Sequence, residues 1–162
     1  MAADFVPGSN VFFRFFRTGQ TVRRLLLIAV DGSGVTQDEY GVLSTVRALG
    51  LIRGEPGAPA PVQPTDMANW LGMPATTVST YVARFLERGL VERSRNPEDG
   101  RSYVLSLSAE GNALVDSVAK RLTAVLGEVA GESPVELSEI ADALATLDAA
   151  GRRVLDMRAT SR

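Results

Sequence analysis

The sequence predicts a mainly α-helical chain with one small β-hairpin set inside it. Three observations predict this. Apolar residues recur at spacings of three and four over several stretches, the period of one helix face. The breaks between those stretches are short and built on glycine or proline. Between Leu90 and Leu107 the helical period gives way to strand-like composition about a polar centre.

In chain order, residues 1–8 carry Pro7 and Gly8 and are expected to form a loose arm. Ser9 or Asn10 can cap a first helix in which Phe12, Phe15, Gly19, Val22, Leu26 and Ala29 share a face, widened by Phe13 and Phe16. Four phenylalanines exceed what a surface helix of a small domain can hide, so part of this face is expected to bury against a second subunit; the alternative is the core of a single subunit. Asp31-Gly32-Ser33-Gly34 is a turn, and Thr36 or Gln37 opens a helix through Tyr40, Leu43, Val46, Leu49 and Ile52. Gly54 to Pro61 is too rich in proline and glycine for regular structure and reads as a solvated loop.

Val62-Gln63 can add a minimal strand to the hairpin, after which Pro64 and Asp66 open a helix to Leu71. Met67, Trp70 and Leu71 are expected to pack on Val78, Val82 and Phe85. Leu71-Gly72-Met73-Pro74-Ala75 is a tight turn into a second helix, Ala75 to Arg88. That helix puts Val78, Tyr81, Val82, Phe85 and Leu86 inward and leaves Thr76, Thr80, Ala83 and Arg84 outward; Pro74 deprives it of a side-chain cap. Gly89 ends it, and strands Leu90–Ser94 and Ser102–Leu107 flank a polar tip, Arg95-Asn96-Pro97-Glu98-Asp99-Gly100-Arg101.

Ser108 caps the next helix, where Val115, Val118, Leu122, Val125 and Val129 step by three and four. Ser133-Pro134-Val135-Glu136 reads as a capping box opening a last helix with a stripe of Leu137, Ile140, Leu144, Leu147, Gly151 and Val154. These stripes need partners; a self-contained helical hairpin is the alternative to a dimerisation arm.

Helix, turn, helix and hairpin in that order make a winged helix-turn-helix. Leu71-Gly72, Thr77-Val78-Ser79, Leu86-Glu87-Arg88-Gly89-Leu90-Val91, Asn96-Pro97-Glu98-Asp99-Gly100-Arg101 and Leu105-Ser106-Leu107-Ser108-x-x-Gly111 together closely resemble the MarR family of transcriptional regulators. The resemblance covers about fifty residues at motif level. It implies a winged helix-turn-helix DNA-binding region at residues 61–108, a helical dimerisation region at residues 9–54 and 109–158, and flexible ends at 1–8 and 159–162. The Gly54–Pro61 loop is longer than the family's usual link.

Composition narrows the chemistry. A chain of 162 residues, 45% apolar, can bury a core, and no apolar run reaches the length of a membrane span. Its start lacks the features of a secretory leader, so a cytoplasmic protein is expected. Absent cysteine and histidine exclude thiol redox sensing and remove the commonest metal ligand and general base. No clustered carboxylates, phosphate loop or metal spacing remain, so neither an enzyme nor a cofactor is expected. Lys120 is the only lysine among 17 basic residues, which with abundant alanine points to a high-GC bacterial genome. Against DNA binding, net charge is −2, and from Thr76 to Val104 five arginines meet four acids.

The resemblance implies a homodimer on double-stranded DNA, its second helices entering major grooves about 34 to 36 Å apart on a near-palindromic operator. Thr76, Thr77, Ser79, Thr80 and Arg84 are the candidates on that helix, their alternative being a solvated polar face. In the wing, Arg101 would reach toward the minor groove, Asp99 would orient it and the tip, and Arg95 and Asn96 suit phosphates; the alternative is a surface ion pair. The resemblance further implies a repressor relieved by a small aromatic or lipophilic effector between the arm and the DNA-binding lobe. Phe16, Tyr40 and Trp70 are candidates to line that site, though aromatics at helical spacing are more often core. The rival reading is a winged-helix protein-interaction module that has lost DNA binding.

Overall fold

The computed structural model describes residues 11–55, 59–96 and 99–160, without the side chains of Phe12, Ala159 and Thr160. The expected arm at 1–8, the cap at Ser9 or Asn10, residues 161–162, and parts of the linker (56–58) and wing tip (97–98) lie outside these. Among the described residues six helices and one hairpin follow in order: α1 (Val11–Val30), α2 (Gln37–Arg53), α3 (Pro64–Leu71), α4 (Ala75–Glu87), β1 (Val91–Arg95), β2 (Tyr103–Leu107), α5 (Ala109–Glu132) and α6 (Leu137–Thr160). The mainly α winged helix-turn-helix fold is present as expected. The chain divides into two compact units, one to Leu122 and one from Thr123.

In the first unit the core gathers Ala29, Leu43, Val62, Met67, Val78, Phe85, Leu105, Val115 and Val118. The C-terminal end of α1 enters it, Ala29 and Val30 buried and Leu26 packed against it, while Phe13, Phe15, Phe16 and Val22 stay exposed. Those phenylalanines therefore do not form the core of a single subunit. Gly32 and Gly34 take positive φ in the turn after α1. Thr36 then caps α2: its side chain accepts from the Glu39 N–H (3.2 Å) while the Glu39 carboxylate accepts from the Thr36 N–H (2.8 Å). Tyr40, Leu43, Val46 and Leu49 are buried, but Ile52 is 63% exposed, a departure from the expected stripe. The helix has passed the core by its last turn.

Val62 bridges Leu105 antiparallel, with paired bonds of 2.9 and 2.8 Å, so the minimal third strand exists as a single bridge. Pro64 starts α3, and Gly72 ends it at φ +63°. Trp70 is a correction: it is 44% exposed. With two turns available, Met67, Ala68 and Leu71 fill the inward face, and Trp70 falls about 100° to its side. Pro74 gives α4 no side-chain cap, as expected. Val78, Val82 and Phe85 are buried, and Tyr81 stacks on Phe85 with centroids 6.3 Å apart. Gly89, φ +66°, turns the chain into β1.

The hairpin pairs Val91 with Leu107 and Arg95 with Tyr103. Ser108 caps α5 by accepting from the Gly111 N–H (2.9 Å) and also donates to the Gly89 carbonyl (2.6 Å). Arg47 of α2 holds α5 through Asp116 (2.5 Å) and the Asn112 side chain (2.9 Å).

In the second unit, the Ser133 hydroxyl accepts from the Val135 N–H two residues on (3.1 Å) rather than three residues on. This corrects the expected capping box. The local turn takes the serine, and α6 starts later, at Leu137, the Ile140 N–H reaching back to the Glu136 carbonyl. Helix α6 runs two residues past its expected end at 158. Ile140, Leu144, Leu147 and Val154 are all exposed, so a self-contained hairpin would leave the stripe bare.

Candidate nucleic-acid interface

Burial of Val78, Val82 and Phe85 fixes which face of α4 is outward. Thr76, Thr77, Ser79, Thr80, Ala83 and Arg84 all lie on the exposed side. The Ser79 hydroxyl donates to the Ala75 carbonyl (2.8 Å) and the Thr80 hydroxyl to the Thr76 carbonyl (3.0 Å). These two hydroxyls thus spend their protons inside the helix and offer lone pairs outward, suited to accept from an adenine or cytosine amino group. Thr76 and Thr77 lie in the first turn, whose positive dipole end favours an anion, although the Thr77 N–H is itself taken by the Pro74 carbonyl (3.0 Å).

The wing is organised from its backbone. Asp99 accepts from the Arg101 N–H (3.0 Å), so this carboxylate shapes the tip that carries Arg101. Arg95 donates its Nε to the Gly100 carbonyl (3.1 Å), closing the loop from the other strand. Asn96 is a correction. It is 6% exposed, and its side-chain amide donates to the Ser102 hydroxyl (2.9 Å), so it builds the turn instead of facing a phosphate. The polar side chains of Asn96 and Asp99 serve the loop's own hydrogen bonds.

Total charge understates this surface. Of the five arginines between 84 and 101, Arg88 alone turns inward, donating to the Gly34 carbonyl (2.8 Å) and standing 3.7 Å from Glu39. Among the described residues, no carboxylate stands within ion-pair distance of Arg84, Arg93, Arg95 or Arg101. Arg93 is the residue that sequence reading missed. Its guanidinium lies over the Tyr103 ring at 3.8 Å from the centroid. An Arg on β1 two residues before Arg95 was the available signal, but the ring that holds it comes from the other strand.

The three aromatic candidates for an effector site do not converge. Phe16 is 57% exposed on α1, Tyr40 is core, and Trp70 lies on the outer side of α3. Burial raises the Tyr40 phenol above its ordinary value, Arg47 opposing, which keeps it a neutral hydroxyl. A cavity of about 440 Å³ opens elsewhere, lined by Val46, Arg47 and Leu51 of α2, Pro59 and Ala60 of the linker, Leu105 and Leu107 of β2, and Asn112 of α5. Its linker wall is fixed by the Ala60 N–H donating to the Gly50 carbonyl (2.9 Å). Among the described residues, no helix is long and apolar enough to cross a membrane.

Residues 33–102 match the MarR family. The fold is similar to a MarR-family transcriptional regulator from Rhodococcus sp. RHA1, with TM-score 0.70 and 21% identity over 90% of this chain and 95% of that one. It is similar to the transcriptional repressor CouR, bound to a 23-mer DNA duplex, with TM-score 0.69 and 21% identity over 91% and 98%. It is also similar to the PcaV regulator from Streptomyces coelicolor in complex with its natural ligand, with TM-score 0.64 and 24% identity over 96% and 98%. No curated protein sequence matches the chain.

Proposed function

We propose that this winged-helix chain is a member of the MarR family and, from that premise, a sequence-specific, homodimeric transcriptional repressor of a near-palindromic operator. The observation that carries the reading is the outward surface shared by α4 and the wing. Four hydroxyls on α4 adjoin arginines that the described residues leave without carboxylate partners, which suits a polyanion. Within this reading Thr76, Thr77, Ser79, Thr80 and Arg84 face the major groove, while Arg101 extends toward the minor groove from a tip held by Asp99. Residues 61–108 serve as the reader, and the helices at either end serve dimerisation.

Dimerisation is supported by apolar residues left exposed in a single chain, Phe15, Phe16 and Val22 on α1 and Ile140, Leu144 and Leu147 on α6. Two readers at a fixed spacing then demand two half-sites. Relief of repression by a small aromatic or lipophilic molecule is supported by the mostly apolar cavity bounded by α2 and β2, whose occupant would touch both a core helix and the wing strand. Such a molecule shifts binding only by its differential affinity for two spacings of the DNA-binding lobes.

The test is an anisotropy titration of the protein on duplex from its own promoter across a salt series. A steep negative dependence of log K on log salt is expected, together with protection of two half-sites about one helical turn apart. No affinity for DNA at low salt overturns the reading in favour of a winged-helix module that binds protein.

A further inference from the structure

The register of the hairpin sorts its charges. Arg95 faces Tyr103 and Arg93 faces Leu105 across the strands. Since side chains alternate along a strand, Val91, Arg93 and Arg95 share one sheet face with Leu107, Leu105 and Tyr103, and Glu92 falls on the other. A segment with nearly balanced charge in sequence therefore carries its strand arginines on one side and its strand acid on the reverse.

On that face the Arg93 guanidinium carbon stands 3.8 Å over the centroid of the Tyr103 ring, within stacking distance. Stacking uses the guanidinium's face, and its N–H donors lie in the plane and point outward from the edge. The ring thus immobilises a long side chain without consuming a donor or neutralising its charge. Tyr103 is itself anchored, half-buried against the core. Arg95, directly across from Tyr103 and two residues along β1 from Arg93, is fixed through Nε to the Gly100 carbonyl. Among the described residues Arg93 has no carboxylate partner, so the edge is presented to solvent. A rigid planar edge of paired donors matches an anion with two oxygens at similar spacing, which a phosphodiester provides.

We propose that Arg93, positioned by Tyr103, is a DNA-backbone contact at the root of the wing, separate from Arg101 at its tip. This rests on the DNA-binding reading above. Because the contacted group is a phosphate, Arg93 contributes affinity and register and no base discrimination. Tyr103 is a positioning residue that acts through Arg93.

The experiment compares the full-length protein with Arg93→Ala, Arg93→Lys and Tyr103→Leu on promoter duplex and on an unrelated duplex of equal length, over a salt series. Arg93→Ala is expected to weaken binding to both duplexes by about eightfold at 0.1 M salt and to reduce the magnitude of the salt slope by about one, as loss of one phosphate contact requires. Arg93→Lys should keep the wild-type slope but not the full affinity, since an ammonium cannot offer a paired edge. Tyr103→Leu should weaken binding to both duplexes alike. Thermal midpoints of the Arg93 variants should match the wild type, which separates a contact from a structural role. If wild-type protein binds and Arg93→Ala keeps its slope, or if the loss appears on the promoter duplex alone, the proposal is overturned and the DNA-binding reading survives. Absence of binding by the wild type overturns that reading itself.

Discussion

The carbonyl oxygen of Leu90 stands 1.9 Å from the position a Cβ on Gly111 would occupy. The chain leaving α4 is thus pressed directly onto the first turn of α5. Ser108 binds the same backbone, its N–H donating to the Leu90 carbonyl (3.2 Å) and its hydroxyl to the Gly89 carbonyl. The Leu-Ser-x-x-Gly run is a joint: serine caps the helix and grips the neighbouring chain, and glycine removes the one atom that would keep the two apart.

Gly111→Ala should therefore destabilise the protein by about 1–3 kcal/mol or more, as overpacking does where the obstacle is backbone. Gly127→Ala, on the same helix with nothing within 4 Å of the added carbon, is the control. It should gain about 0.5–1 kcal/mol from helix propensity. Urea denaturation of both variants checks this, and equal effects would contradict the joint.

Arg101→Ala should weaken operator binding by about 1–3 kcal/mol, roughly five- to 150-fold, on the wing reading. Its side chain makes no ion pair among the described residues, so unfolding and subunit association should be unchanged. Unaltered retardation in a mobility-shift titration would remove Arg101 from the interface.

Stability should fall on the acid side through two aspartates. A hydrogen bond from Arg53 holds the Asp66 carboxyl below the ordinary value of 3.8, with the Gln63 N–H assisting, and Arg47 lowers Asp116 in the same manner. A group whose pKa is depressed in the fold favours folding fully above its unfolded value and loses that contribution as pH falls through the depressed one. Thermal midpoints should therefore drop as pH decreases below about 3.8, and Asp66→Asn should be less stable at pH 7 with a flatter acid limb. A parallel acid limb in that variant would show that the pair does not carry the dependence. Asp116, 69% exposed, should add less because solvent screens it.

Leu144 is 54% exposed on α6. Leu144→Asp should leave the far-UV spectrum of the chain intact but shift sedimentation toward the monomer, because a charge would have to be desolvated at the subunit contact. DNA affinity should fall with it, since each half-site would then be bound by an independent reader. A dimer of unaltered mass would locate the contact elsewhere.

Helix period, caps and turn residues lay open in the sequence because they act over four residues or fewer. Thr36, Ser108, Gly72 and Gly89 do locally what their types predict, and the inward set Val78, Val82 and Phe85 followed from spacing alone. That is why the winged fold and the outward face of α4 were legible in the chain. What tertiary structure decided are relations between residues distant in sequence or competing for limited inward space. Trp70 was displaced by Met67 and Ala68 on a two-turn helix, and Asn96 was drawn into its own loop. Arg93 acquired a ring from the opposite strand, and Gly111 a carbonyl from the far side of the wing. A one-dimensional pattern specifies which way each side chain leaves its own element, but which atoms it meets there depends on packing, where one neighbour's volume excludes another.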